Sequence, residues 1–184
     1  MGIGSGCTTQ EARATGRGQA TALLEVAAAR QQVAEHTGVT IPLIADGGIS
    51  GPGDMVIALA LGADTLMMGN VLARYTESPG KAIRNTAGEL VKEYWMEGSL
   101  RARNHRRYAQ LPELFFEEGI VGHVPHAGSI YDKLPVIVQM VRAALATTGC
   151  GSIDALHTHA VLERQSPVAL QDSQIHNMVP VHSV

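Results

Sequence analysis

Aromatic side chains are scarce: one Trp, four Tyr and two Phe in 184 residues. A core must therefore be aliphatic, built from Ala, Leu, Val, Ile and Met. Cysteine is scarcer still. Cys7 and Cys150 are too few for a disulfide framework, so a reducing, cytoplasmic compartment is expected. There is no basic surplus: 14 Lys and Arg against 17 Asp and Glu leave a net charge of -3. That argues against a nucleic-acid partner, which needs cationic groups for the phosphate backbone. No apolar run reaches the ~20 residues of a membrane span, and nothing near Met1 resembles a signal peptide. What is present is 45% apolar residues and 20 glycines, enough for a buried core with many tight loops.

The apolar pattern predicts alternating elements. Residues 19–36 are Ala-rich with Leu23, Leu24, Ala27 and Ala28 at helical spacing, and Gly38 supplies a stop. Residues 41–45 form a short apolar run that suits a strand buried on both faces, ending at Asp46-Gly47-Gly48. A short helix over 54–61 closes at Gly62. A second buried strand over 65–68 ends at Gly69-Asn70. Strand, glycine turn, helix, strand, glycine turn is a βαβ unit, whose ligands gather at the carboxyl ends of the strands. Beyond it, residues 83–94 predict a hairpin turning at Asn85-Thr86-Ala87-Gly88. Residues 95–130 carry little periodicity and predict a lid or irregular segment. A helix is expected over 134–146, then a Ser152-capped helix over 153–159 and a weakly patterned polar tail. Two parallel strands are too few for a (β/α)₈ barrel of about 250 residues. The expected fold is α/β, part of such a barrel over residues 1–150, with an inserted hairpin and flap at about 82–130 and a tail over 151–184.

Several features carry chemistry. Gly2, Gly4 and Gly6 let backbone amides approach a ligand, and Cys7 follows on a turn. A thiolate there is a nucleophile if its surroundings favour it; the alternative is a structural cysteine. Asp46 can accept two hydrogen bonds from a ribose diol, and the glycine amides after it can hold a phosphate. Gly69-Asn70 repeats that arrangement one βα unit later. Arg107-Tyr108 is either a proton-transfer pair or part of a solvated basic loop. The closest histidine pairs, His123 with His126 and His157 with His159, lack zinc-site spacing and are expected at the surface. Cys150 is expected to be structural.

Taken together these stretches resemble the inosine-5'-monophosphate (IMP) dehydrogenase family, within the IMP dehydrogenase/GMP reductase group. The resemblance rests on Gly2-Ile3-Gly4-Ser5-Gly6-Cys7-Thr8-Thr9, Gly16-Arg17-Gly18-Gln19-Ala20-Thr21, Ile44-Ala45-Asp46-Gly47-Gly48 and Tyr94-Trp95-Met96-Glu97-Gly98-Ser99. It continues through Arg101-Ala102-Arg103-Asn104, Arg107-Tyr108, Glu117-Glu118-Gly119 and Val124-Pro125-His126-Ala127-Gly128, in the family's order. It implies a (β/α)₈ barrel, usually a homotetramer, that oxidises IMP to XMP with NAD. By resemblance Cys7 attacks the purine, Arg107 and Tyr108 on a mobile flap activate water, and Thr9 and Glu118 assist proton transfer. Asp46 binds the ribose hydroxyls, Gly47 belongs to the substrate-binding set, and Gly48, Gly69, Asn70 and Tyr94 hold the phosphate. Glu97 and Gly98 face the base. Carbonyls of Gly2, Gly4 and Cys7 would hold a potassium ion. Two departures stand out. Gly6 abuts Cys7 where the family has two further residues, and Asp172-Ser173-Gln174 replaces Glu-Gly-Gly. GMP reductase is a second enzymatic reading, though it lacks the flap pair. An inactive nucleotide-binding or interaction remnant is a third.

Overall fold

The computed structural model describes residue 4, residues 6–105 and residues 117–173, with backbone alone at 103–105. Gly2, Arg107 and Tyr108, three residues singled out above, lie outside the described residues.

After a short α1 (Thr9–Arg13), α2 (Gln19–Thr37) runs as expected and stops at Gly38, whose left-handed backbone returns its amide to the Ala34 carbonyl. β1 (Ile44–Asp46), α3 (Pro52–Ala60) and β2 (Thr65–Met67) form the βαβ unit. β1 and β2 pair in parallel with Ala45 opposite Leu66. α4 (Gly69–Ala73) follows directly. Then β3 (Ala82–Arg84), β4 (Leu90–Trp95) and β5 (Val121–Pro125) make an antiparallel sheet with β4 in the middle. α5 (Leu100–His105) lies between β4 and β5 in the chain. α6 (Ile130–Thr147), α7 (Ile153–His159) and α8 (Pro167–Asp172) close it.

The main core gathers Leu23 of α2, Ala45 of β1, Met55 and Ala58 of α3, and Val71 and Tyr75 around α4, with Ile137 and Val141 of α6 against it. Burying aliphatic side chains of this size contributes about 1.5–3 kcal/mol each. A second cluster packs Leu156 of α7 on Leu59 and Cys150. Beneath the strands, Asp64 accepts from the Leu43 amide at 2.6 Å and from Arg30 at 2.5 Å. That carboxylate ties α2 to the entry of β1.

Four expectations need correction. The two parallel strands are not buried on both faces: Ile44 and Met67 are exposed, because a two-stranded sheet has one covered face among the described residues. The stretch over 95–130 holds α5 and β5, the latter recruited by pairing with β4 rather than by its own pattern. α6 begins four residues earlier than expected, with Pro135 inside it. Ser129 and Glu77 together accept the first amides and stabilise the start upstream of the proline. Finally, the histidines are not all superficial. His157 is half-buried and bonds the Ala63 carbonyl at 3.0 Å, and half-buried His126 bonds Thr76 at 3.0 Å.

Candidate functional site

The carboxyl ends of β1 and β2, the cysteine loop and the antiparallel sheet enclose a cleft of about 800 Å³. The β1 side is built from glycine. Gly47 and Gly48 both take positive φ, 104° and 74°, which side chains resist. A Cβ added at Gly4 would stand 3.3 Å from the Gly48 Cα, so the cysteine loop and the β1 turn touch backbone to backbone. Asp54, in the first turn of α3, anchors that turn. Its carboxylate accepts from the Ser50 hydroxyl at 2.6 Å and the Ser50 amide at 2.9 Å. These bonds hold the Asp54 carboxyl below its ordinary range.

The β2 side begins α4 at Gly69 with no cap side chain. A Cβ at Gly69 would overlap the Tyr94 hydroxyl, so this first turn and β4 are in close contact. Tyr94 is half-buried, and burial, with the Asp46 carboxylate second, pushes its phenol above the ordinary value. It therefore stays a neutral hydrogen-bond donor in the cleft.

The third wall places the thiol. Cys7 is half-buried and free of any disulfide. Its Sγ lies 2.9 Å from the Thr9 Oγ1. Residues 118–120 zip onto the loop: the Thr8 amide donates to the Glu118 carbonyl at 3.1 Å and the Ile120 amide to the Gly6 carbonyl at 3.3 Å. The Glu118 amide donates to the Gly98 carbonyl at 3.1 Å. Three sequence-distant segments thus meet around Cys7. The Glu118 carboxylate pairs with Arg13 of α1 at 2.5 Å.

Of the residues singled out from the sequence, Gly4, Cys7, Thr9, Asp46, Gly47, Gly48, Gly69, Asn70, Tyr94, Glu97, Gly98 and Glu118 all line this one cleft. The sequence reading missed the apolar lining by Met96 and Ile120, and missed His123 of β5. No local pattern marks His123: it reaches the cleft because β5 pairs with β4, where His123 stands opposite Glu93. Outside the cleft, Arg101 stacks over the Trp95 ring at 4.2 Å and pairs with Glu93 at 3.0 Å, which pins α5 to β4. The Arg101 bond keeps the Glu93 carboxyl below its usual range. Among the described residues, no group of three His, Cys, Asp or Glu side chains could hold a metal, and no helix is long and apolar enough to cross a membrane. Cys150 is buried against Leu59 and Leu156.

These features define a class: an α/β protein in which strand-end glycine turns and an inserted antiparallel sheet surround a single thiol. The model of the IMP dehydrogenase / GMP reductase domain matches residues 1–176, and the chain belongs to that family. It is 39% identical over 183 residues to the inosine-5'-monophosphate dehydrogenase of Tritrichomonas foetus, covering 97% of this chain and 36% of that protein. It is 38% identical to inosine-5'-monophosphate dehydrogenase 1 of Arabidopsis thaliana and 36% identical to the Escherichia coli (strain K12) protein, with the same coverage. The chain therefore spans about a third of the length of the curated relatives it matches.

Proposed function

We propose that this chain is the cysteine-loop portion of an IMP dehydrogenase barrel, and that it carries the purine-binding and covalent machinery for oxidising IMP to XMP in guanine nucleotide synthesis. The supporting observation is that the thiol, a carboxylate suited to a ribose diol and two glycine turns suited to a phosphate all open into one cleft. The cleft is large enough for a purine mononucleotide. Asp46 takes the ribose hydroxyls, with Gly47 beside it. Gly48, Gly69, Asn70 and Tyr94 hold the phosphate, and Glu97 and Gly98 face the base.

The Cys7 thiolate attacks C2 of the purine and forms a carbon–sulfur bond. Bound NAD supplies the acceptor for the hydride that leaves C2. Cys7 then holds a thioimidate. Water adds to C2, the carbon–sulfur bond breaks, XMP leaves and the thiol is regenerated. Arg107 and Tyr108 activate that water, and Thr9 and Glu118 carry protons. Met96 and Ile120 flank the cysteine loop and line the cleft, and would offer the nicotinamide of NAD an apolar wall. A potassium ion would take the Gly2, Gly4 and Cys7 carbonyls, by resemblance to the family. Leu24 and Val33 of α2 and Val136 and Met140 of α6 leave apolar side chains exposed, which suits burial against a further part of the barrel or another subunit; the homotetramer and the cytoplasmic location are carried by the family resemblance. The Arg107-Tyr108 pair favours a dehydrogenase over a GMP reductase.

The test is intact-mass spectrometry of the chain with 6-chloropurine riboside 5'-monophosphate, an electrophilic nucleotide, beside Cys7→Ala. One adduct on the wild type and none on the variant is the expected result. A folded wild type that takes no adduct overturns the reading.

A further inference from the structure

Lys92 is the largest fully buried side chain among the described residues, 1% exposed at the centre of the antiparallel sheet. Among the described residues no carboxylate lies within ion-pair distance of its ammonium, and the Glu77 carboxylate feels its charge only weakly from farther off. Instead Nζ donates to three backbone carbonyls of the turn after α4: Tyr75 at 2.6 Å, Thr76 at 3.2 Å and Ser78 at 2.6 Å. Three carbonyl oxygens saturate the three N–H donors of a lysine, which is how such a charge can be buried. The same turn is tied back to the helix, because the Ser78 hydroxyl donates to the Ala73 carbonyl at 2.7 Å. It is tied outward as well, through the Thr76 amide to Gly128 and Glu77 to Ser129.

Lys92 and Tyr94 stand two residues apart on β4, so both project to one face of the strand. Tyr94 abuts the start of α4 at Gly69, while Lys92 grips the turn at its end. One strand thus clamps a five-residue helix at both ends. A helix this short holds its own orientation poorly. We infer that Lys92 is a positioning residue for the phosphate end of the cleft. It sets the tilt of α4, and so aims the amides of Gly69 and Asn70, without touching the nucleotide. This inference rests on the proposed role of that first turn in holding a nucleotide phosphate.

The experiment compares alkylation of Cys7 by 6-chloropurine riboside 5'-monophosphate and by the phosphate-free riboside, in the wild-type chain and in Lys92→Met. If Lys92 positions the phosphate end, the half-saturating nucleotide concentration rises roughly tenfold, the scale of weakening one hydrogen bond to a charged group. The maximal alkylation rate and the rate with the riboside stay at wild-type values. Equal half-saturation in variant and wild type overturns the inference alone. An equal loss with both probes also overturns it, because it records general damage near the thiol. A wild type that is not alkylated overturns the nucleotide reading itself, and this inference with it. Lys92→Gln keeps a neutral donor, and circular dichroism reports whether each variant folds. Should Lys92→Met not fold, the same comparison on Lys92→Gln decides, with a smaller shift in the same direction expected.

Discussion

The Cys7 sulfur and the Thr9 hydroxyl are 2.9 Å apart, at the point where the cysteine loop turns into α1. A hydroxyl so placed shares a hydrogen bond with the sulfur and fixes its position, and such a bond contributes about 0.5–1.5 kcal/mol. Thr9→Val is expected to change the rate of Cys7 alkylation by iodoacetamide about severalfold at neutral pH. Thr9→Ser should keep most of the rate. Stopped-time mass spectrometry of the two variants checks this, and equal rates for all three proteins would exclude the role of the hydroxyl.

Gly69 has no room for a side chain beside the Tyr94 hydroxyl. Gly69→Ala should displace the ring and weaken IMP binding by about tenfold or more, the scale of losing one hydrogen bond to a charged group. Adding Tyr94→Phe removes the colliding oxygen. The double variant should then bind IMP better than Gly69→Ala alone. Isothermal titration calorimetry on the three variants decides the matter, and a double variant no better than Gly69→Ala would point to a backbone cause.

Glu77 accepts from the Ser129 hydroxyl at 2.6 Å and the Ile130 amide at 2.9 Å, and these two bonds hold its carboxyl below the ordinary 4.5. A carboxyl with a lowered folded-state value stabilises the fold fully above its unfolded value. It loses that contribution as pH falls through the folded value. The contribution of Glu77 to stability should therefore decline below about pH 4.5. In Glu77→Gln the stability at neutral pH should be lower and its dependence on pH below 4.5 shallower. Urea titrations at neutral and acid pH measure both; identical slopes would show that Glu77 does not contribute.

Leu156 is 1% exposed between α7 and α3, packed on Leu59 and Cys150. Truncating a buried leucine leaves a cavity, so Leu156→Ala should cost about 2–5 kcal/mol. Thermal and urea denaturation read this directly. Cys150→Ala removes a smaller side chain from the same cluster and should cost less.

Some elements could be read along the chain because their causes are local. α2 is marked by its alanines and its Gly38 stop, and the β3–β4 hairpin by Asn85 and Gly88. In the hairpin, Asn85 accepts from the Ala87 and Glu89 amides at 3.0 and 2.9 Å. Ser152 announces α7 by capping the Ala155 amide. The glycine turn at Gly47-Gly48 could be read too, because a backbone that must take positive φ at a strand end uses few residue types. From that turn, Asp46 and Cys7, a nucleotide cleft and a family resemblance followed.

Other features depend on partners far away in the chain. β5 is a strand because β4 offers it an open edge, with Val124 opposite Lys92 and His123 opposite Glu93. Nothing in residues 121–125 alone requires it. The early start of α6 depends on Glu77, more than fifty residues upstream. Tyr94 and Gly69 meet across α4 and β4, and Lys92 is buried because three carbonyls from 75–78 converge on it. Residue types and turns are local properties, set by sterics within a few bonds. Which strand finds which edge, and which charge finds which carbonyls, depends on long-range packing, and only the folded chain brings those groups together.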